Sequence, residues 1–225
     1  MLLLVTDTSG KNGFVGLARV AESGEVEVID EVPLVGGTFS AQLVPQIAGL
    51  LDKHSFHKNQ IDAFLVVSGP GSFTGLRVGL AAIKALAEIL HKPIVPVSLL
   101  EVVALAAGKQ RKVLAVLDAG RGEIFAGEYE VGDQSAQLIR QQVLPKQELL
   151  SSVVGGFVLA TPEATLASAI EESGVSVITV EKCCAETIAR LGWQKLQAGK
   201  TVSPEQLDAN YIRRSDAEIF AKTSS

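Results

Sequence analysis

Residues 2–20, LLLVTDTSGKNGFVGLARV, decide the fold when set beside residues 113–131, VLAVLDAGRGEIFAGEYEV. Each is an apolar strand ending in an aspartate, Asp7 or Asp118, then a polar turn with glycine and a second apolar run. Glycine and asparagine between apolar runs mark a hairpin. The two aspartates lie 111 positions apart in a chain of 225, so the spacing predicts two halves built on one plan.

Downstream segments extend the parallel. A third strand is expected around residues 25–32 and again around 137–143, followed by a helix in each half. In the first half Leu43, Ile47, Leu50 and Leu51 recur at helical spacing behind Ser40, a candidate cap, and Pro45 must sit in the first turn or bend the helix. Its counterpart over 146–153 is shorter. Residues 63–67 and 157–160 are continuous apolar runs suited to buried parallel strands, and helices are expected over 74–90 and 163–172. Strands at 94–97 and 175–180 close the halves, and a last helix covers 185–197. Three strands followed by alternating helices and strands give an α/β fold with a mixed sheet in each half. The expected division is 1–104 for the first half and 105–225 for the second, the latter carrying the last helix and the tail.

Composition narrows the function classes. Twenty Lys and Arg against twenty-five Asp and Glu leave a formal charge of −5, too acidic to neutralise a phosphate backbone unaided. With 47% hydrophobic residues the chain buries a core and is not disordered. The mean hydropathy of +0.31 is high, yet no apolar run approaches the ~20 residues of a spanning helix. Met1 runs into Leu2–Leu4 and Val5 without a basic region, so this opening is expected to be a strand of a cytoplasmic protein and not a signal peptide. Cys183 and Cys184 are adjacent, which suits neither a disulfide framework nor a zinc site.

The loop Ser68, Gly69, Pro70, Gly71, Ser72, Phe73, Thr74, Gly75, Leu76, Arg77 joins a strand to a helix. Its glycines permit tight turning and close approach, and a helix start offers free N–H groups, so an anion or a partner backbone would fit there. It is not a P-loop, because no Lys-Ser or Lys-Thr follows, and its glycine spacing is not that of a dinucleotide fingerprint.

As a whole string, GPGSFTGLRVG resembles the signature of the TsaB (YeaZ) family, paralogues of the TsaD proteins that make threonylcarbamoyladenosine in tRNA. The resemblance extends to Asp7, Thr8 and Ser9, to HKPIVPVSLLEVVALA, to DAGRGEIFAGEY and to the tail with Tyr211, Ile212 and Arg213. It implies a duplicated actin-like/Hsp70-like (ASKHA) fold of two RNase H-like halves. It also implies a non-catalytic scaffold that activates a TsaD-type paralogue, admits a TsaE-type ATPase, pairs with itself in isolation, and meets tRNA only through the complex, with no membrane partner. The catalytic paralogue carries a His-x-x-x-His metal pair where this chain reads Ser98, Leu99, Leu100, Glu101, Val102, and no imidazole is available there. The chain also has Phe39 and Ser40 where family members often carry histidine, and Ala209 and Asn210 where proline is common. The second half has Ala160, Thr161, Pro162 and Glu163 in place of a glycine loop, which weakens a two-sided phosphate clamp.

Several residues remain as candidates. Asp7, Thr8, Ser9, Gly69, Gly71, Ser72, Thr74, Gly75 and Arg77 could contact a nucleotide or anion; no cofactor of the chain's own is expected, with ATP or ADP at the interface with partner proteins. Asp7 could equally stabilise its own turn. From Val78 to Leu90 only Lys84 and Glu88 are charged, and a helix apolar nearly all round must be covered on both sides. The resemblance favours a partner over one side, giving an interface of Leu43, Ile47, Leu50, Val78, Ala82, Ala85, Leu86 and Ile89. His54 and His57, one turn apart, are expected to be exposed near a helix end, and Cys183 and Cys184 to be ordinary, partly buried residues. The basic residues Lys109, Arg111, Lys112, Arg213 and Arg214 suit solvated surface charge. An active kinase or ATPase of the same fold is the first alternative, a glycoprotease-like peptidase the second.

Overall fold

The computed structural model describes residues 1–108, 111–133, 135–152, 156–181 and 183–212. The first unit comprises residues 1–102 and 183–209. Its strands are β1 (Leu2–Asp7), β2 (Asn12–Val20), β3 (Val26–Val35), β4 (Ile61–Gly69) and β5 (Ile94–Ser98), in the order β3-β2-β1-β4-β5. The hairpin partners β1, β2 and β3 are antiparallel, whereas β1, β4 and β5 run parallel because helices α1 (Phe39–Lys53) and α2 (Phe73–Leu90) supply the crossovers.

Leu4, Leu17, Phe64 and Val66 form one core with Leu43, Ile47 and Leu50 of α1 and with Leu80, Ile83 and Ala87 of α2. Alternation along the strands sends the intervening residues to the opposite face, and a further helix covers it: α6 (Ala185–Gln197) lays Ala185 against Gly16 and Gly192 against Leu65. Three polar contacts fix it there. The Ala185 N–H donates to Glu31 Oε2 at 2.8 Å, and Lys195 Nζ donates to Glu101 Oε2 at 2.6 Å and to the Pro96 carbonyl at 3.3 Å.

The second unit comprises residues 103–182 together with the chain from 210 onward. It repeats the plan with β6 (Arg111–Gly120), β7 (Glu123–Val131), β8 (Ala136–Pro145), β9 (Val158–Thr161) and β10 (Val177–Thr179), ordered β10-β9-β6-β7-β8. Counted within the unit, that is the arrangement of the first sheet. Helices α4 (Lys146–Ser152) and α5 (Ala164–Glu171) are its crossovers, and Leu114, Val116, Ile124, Leu159, Leu166 and Ile170 form its core. Reciprocal bonds of 2.8 and 3.1 Å between the Gln141 and Asn210 amides tie the tail to β8.

Four expectations change. The final helix packs on the first sheet, so the division 1–104 and 105–225 does not describe where 183–209 sit; small residues on α6 let it lie close to that sheet. Helix α1 starts before Ser40: Thr38 is its N-cap, and the Thr38 hydroxyl donates to the Val35 carbonyl and makes no cap bond. Pro45 lies in the second turn, where its missing N–H leaves the Ala41 carbonyl of an exposed residue without that helical bond. Leu99–Ala106 form a helix, α3, directly after β5, which no periodicity announced because the run is short and apolar but for Glu101. The end of the helix expected over 146–153 lies outside the described residues.

Candidate functional site

The glycine loop closes on the chain itself. Strand β1 ends at Asp7, whose Oδ1 accepts from the Ser9 N–H at 2.8 Å and the Ser9 hydroxyl at 2.6 Å, an Asx-type turn that leaves Thr8 and Ser9 buried. Strand β4 ends beside it at Gly69, with φ +123° and a cis peptide to Pro70. The Ser72 N–H donates to the Ser9 carbonyl at 2.6 Å, and the Ser72 hydroxyl caps α2 by accepting from the Gly75 N–H at 3.3 Å. The Thr8 hydroxyl donates to the Gly75 carbonyl at 2.8 Å.

The missing side chains are what allow this. A Cβ on Gly71 would fall on the Ser9 carbonyl oxygen, one on Gly75 on the Thr8 carbonyl oxygen, and one on Gly79 on Thr8 Oγ1. The structure therefore brings Asp7, Thr8, Ser9, Gly69, Gly71, Ser72 and Gly75 together, with the 7–9 backbone in the position that sequence reasoning left open between an anion and a partner backbone. Thr74 and Arg77 point outward from the first turns of α2, and the Arg77 guanidinium stacks 3.7 Å from the centroid of the Phe73 ring.

The equivalent turn of the second unit is different in charge. Asp118 Oδ1 accepts from the Gly120 N–H at 2.9 Å, repeating the turn at Asp7, but the Asp118 N–H donates to Glu163 Oε2 at 3.0 Å. Burial pushes the Glu163 carboxyl above its ordinary range, outweighing the bond from Asp118, and the Asp118 charge pushes it the same way. Lys146 Nζ lies 3.4 Å from Asp118 Oδ1. The Glu163 carboxyl takes up the Asp118 N–H, so this turn holds two acids with Lys146 as the neighbouring cation. Sequence reasoning noted Glu163 among the residues that replace a glycine loop after β9, but not its bond to the Asp118 N–H.

Among the described residues no three His, Cys, Asp or Glu side chains converge. Glu101, in the stretch where the paralogue carries its ligand pair, instead forms the half-buried ion pair with Lys195. His54 is less free than expected, since its Nε2 lies 2.8 Å from Asp30 Oδ2. That contact, with Lys53 at 2.6 Å, lowers the Asp30 carboxyl to about 2. His57 is exposed and accepts from the Asn59 N–H. Cys183 and Cys184 are partly buried, Cys184 as the N-cap of α6. Lys112 pairs loosely with Glu130 at 3.9 Å, while Lys109, Arg213 and Arg214 lie outside the described residues.

The expected interface divides. Leu43, Ile47 and Leu50 are between 1% and 4% exposed and belong to the first unit's core, a correction that follows from their facing the sheet. Val78, Ala82 and Leu86 are half-buried against the same core. Ala85 and Ile89 face outward, Ile89 at 69% exposure. The outer surface also includes Phe73 and Ala81 on α2 and Ala41, Val44, Pro45 and Ala48 on α1. Those positions were legible as the complement of the inward 43/47/50 stripe. The surface is apolar and its residues are mostly small.

The family model described as TsaD, tRNA N6-adenosine threonylcarbamoyltransferase, matches residues 34–219. The chain belongs to this family. Within it, the similar proteins are called TsaB: one from Bacillus subtilis is 30% identical over 67% of this chain, and one from Escherichia coli is 26% identical over 78%. The chain spans 62% of the length of the Bacillus protein and 81% of the Escherichia one. YeaZ from Pseudomonas aeruginosa superposes with a TM-score of 0.72 at 25% identity, covering 93% of this chain and all of that one. A second Pseudomonas aeruginosa structure, described as similar to the peptidase YeaZ, gives 0.73 at 26% identity over 94% of this chain and 99% of that one. The architecture of two five-stranded mixed sheets is thus shared with these two YeaZ-type structures.

Proposed function

We propose that this chain is a non-catalytic partner subunit in the synthesis of threonylcarbamoyladenosine in tRNA. It docks on a TsaD-type paralogue that transfers threonylcarbamoyl to N6 of the adenosine beside the anticodon, and it holds that paralogue in its active arrangement. The observation that carries this reading is the outer face of α1 and α2, where Ala41, Val44, Ala48, Ala81, Ala85 and Ile89 leave apolar surface exposed on an acidic chain. Small residues there let partner helices approach to about 8–10 Å between axes. In isolation the same face takes a second copy.

Two features support a role without chemistry of its own. The glycine loop is filled by the 7–9 turn, and Glu163 takes up the Asp118 N–H at the equivalent turn of the second unit. ATP or ADP, where the assembly uses it, is held chiefly by the partners, among them a TsaE-type ATPase. tRNA is engaged through the complex, in keeping with a net charge of −5. No helix among the described residues is long and apolar enough to cross a membrane, which accords with a cytoplasmic site of action.

Reconstitution tests this. The chain alone is expected neither to modify tRNA nor to hydrolyse ATP, and to raise modification when added to the TsaD-type and TsaE-type proteins. Turnover by the single subunit would overturn the proposal. Because one similar structure is described as peptidase-like, casein digestion with and without chelator belongs in the same experiment, and no cleavage is expected.

A further inference from the structure

We infer that the open face of β8 is a docking site for this chain's own tail, which binds there as a short helix over residues 216–222. Strand β8 is an edge of the second sheet, and its Leu138 and Ile139 are 44% and 49% exposed. An edge strand with large apolar side chains in water invites wrong pairing, and proteins blunt such edges or cover them with a helix or loop. The edge strand β3 of the first sheet is blunted by Glu27, Asp30, Glu31 and Pro33. Strand β8 carries no acid, and its one cation, Arg140, is held by Glu128.

Register shows which face is open, because residues directly opposite each other on antiparallel strands share a face. Ile124, Ala126 and Leu144 belong to the core beneath α4 and α5, so Gly127 and Tyr129 lie on the other face, and with them their β8 partners Gln141 and Leu138. On that face the Gln141 amide exchanges its two bonds with Asn210, which belongs to the same unit. Leu138 is three residues along the strand from Gln141, ~10 Å away. The described chain ends at Ile212, and residues 213–225 follow. From Asn210 to Phe220 the chain can reach up to ~33 Å, so the tail spans the distance to Leu138 with room for helical turns.

The tail sequence suits that face. Ser215 and Glu218 have the spacing of a capping box, Ile219, Phe220 and Ala221 follow it, and Lys222 stands where a cation favours a helix end. Ala217, Phe220 and Ala221 recur at helical spacing on one side, with Ile219 at its flank. A helix this short does not hold alone in water and forms only when its apolar side is buried. Leu138 and Ile139 offer Phe220 and Ile219 the surface that does so.

Paramagnetic broadening in the full chain tests the docking. A nitroxide is placed on S224C in protein carrying C183S and C184S; serine at 184 keeps a good N-cap for α6. The methyl signals of Leu138 and Ile139 are expected to be lost. Because the tail is tethered nearby, the comparison with F220D decides: both signals should return when Phe220 no longer anchors the helix, and L138D should restore that of Ile139. Nitroxide-bearing chains mixed with isotope-labelled chains that lack the nitroxide should leave the labelled signals sharp. Hydrogen exchange over residues 137–141 should be about fivefold faster in F220D, and in the chain stopped after Ile212, than in wild type. Circular dichroism checks that each variant folds. Signals unchanged by F220D, broadening in the mixture, which would seat the tail on a second copy, or equal exchange in all three proteins would overturn the inference.

Discussion

Substituting Gly75 by alanine separates a loop locked onto its own chain from a loop that merely contains glycines. Gly75 lies in the first turn of α2, and helix propensity alone says that alanine there stabilises by ~0.5–1 kcal/mol. Against this, the new Cβ would fall on the Thr8 carbonyl oxygen, a backbone atom held by strand β1 and by the Ser9–Ser72 bond. Overpacking of this kind costs ~1–3 kcal/mol. Moving α2 away to relieve it would stretch the Thr8–Gly75 hydrogen bond, worth ~1 kcal/mol. The clash outweighs the propensity, so Gly75→Ala is expected to destabilise by about 1–3 kcal/mol. Gly49 on α1 has no atom near its absent Cβ, and Gly49→Ala should stabilise by ~0.5–1 kcal/mol. Urea unfolding of dilute protein, followed by the fluorescence of Trp193, the single tryptophan and part of α6, would report both. A Gly75→Ala protein as stable as Gly49→Ala would refute the reasoning.

Three further outcomes follow from individual contacts. The Glu163 carboxyl is raised by burial, so its charged form costs stability above the ordinary range; Glu163→Gln should gain a few tenths of a kcal/mol at pH 7 in thermal melts, and the gain should vanish below about pH 4.5. Asp30 is lowered to about 2 by His54 and then Lys53, so the destabilisation from Asp30→Asn should be complete above about pH 4 and fade as wild type is acidified through about pH 2. Arg121 and Gly122 form a two-residue hairpin turn with φ of +55° and +79°, a geometry that suits asparagine-glycine; Arg121→Asn should stabilise by ~0.5–1 kcal/mol in the same melts.

The duplicated plan was legible because alternation, hairpin punctuation and the two aspartates all act locally, and each half wrote them out once. The destination of the last helix was not. Residues 185–197 are amphipathic in any environment, and what selects the first sheet is the fit of Ala185 on Gly16 and Gly192 on Leu65, contacts between residues far apart in sequence. The interface illustrates the same limit. An apolar stripe says that a face is covered but not by what, so Leu43, Ile47 and Leu50 suited a partner as well as a sheet until β1 and β4 were in place beneath them. Likewise the glycine loop signalled close approach without identifying the approaching group, the 7–9 turn. Glu163 was visible as a residue, but its reach to the Asp118 N–H depends on β6 and β9 lying side by side.

The most direct test of the partner-subunit reading is the affinity of this chain for a TsaD-type paralogue, measured by titration calorimetry with wild type and with Ala85→Glu. Ala85 is exposed on α2, so the variant should unfold like wild type. A buried, unpaired carboxylate at the centre of an apolar contact costs ~3 kcal/mol or more. Binding should therefore weaken by about a hundredfold or more. Equal affinity of the two proteins, or no binding by wild type, would contradict the account.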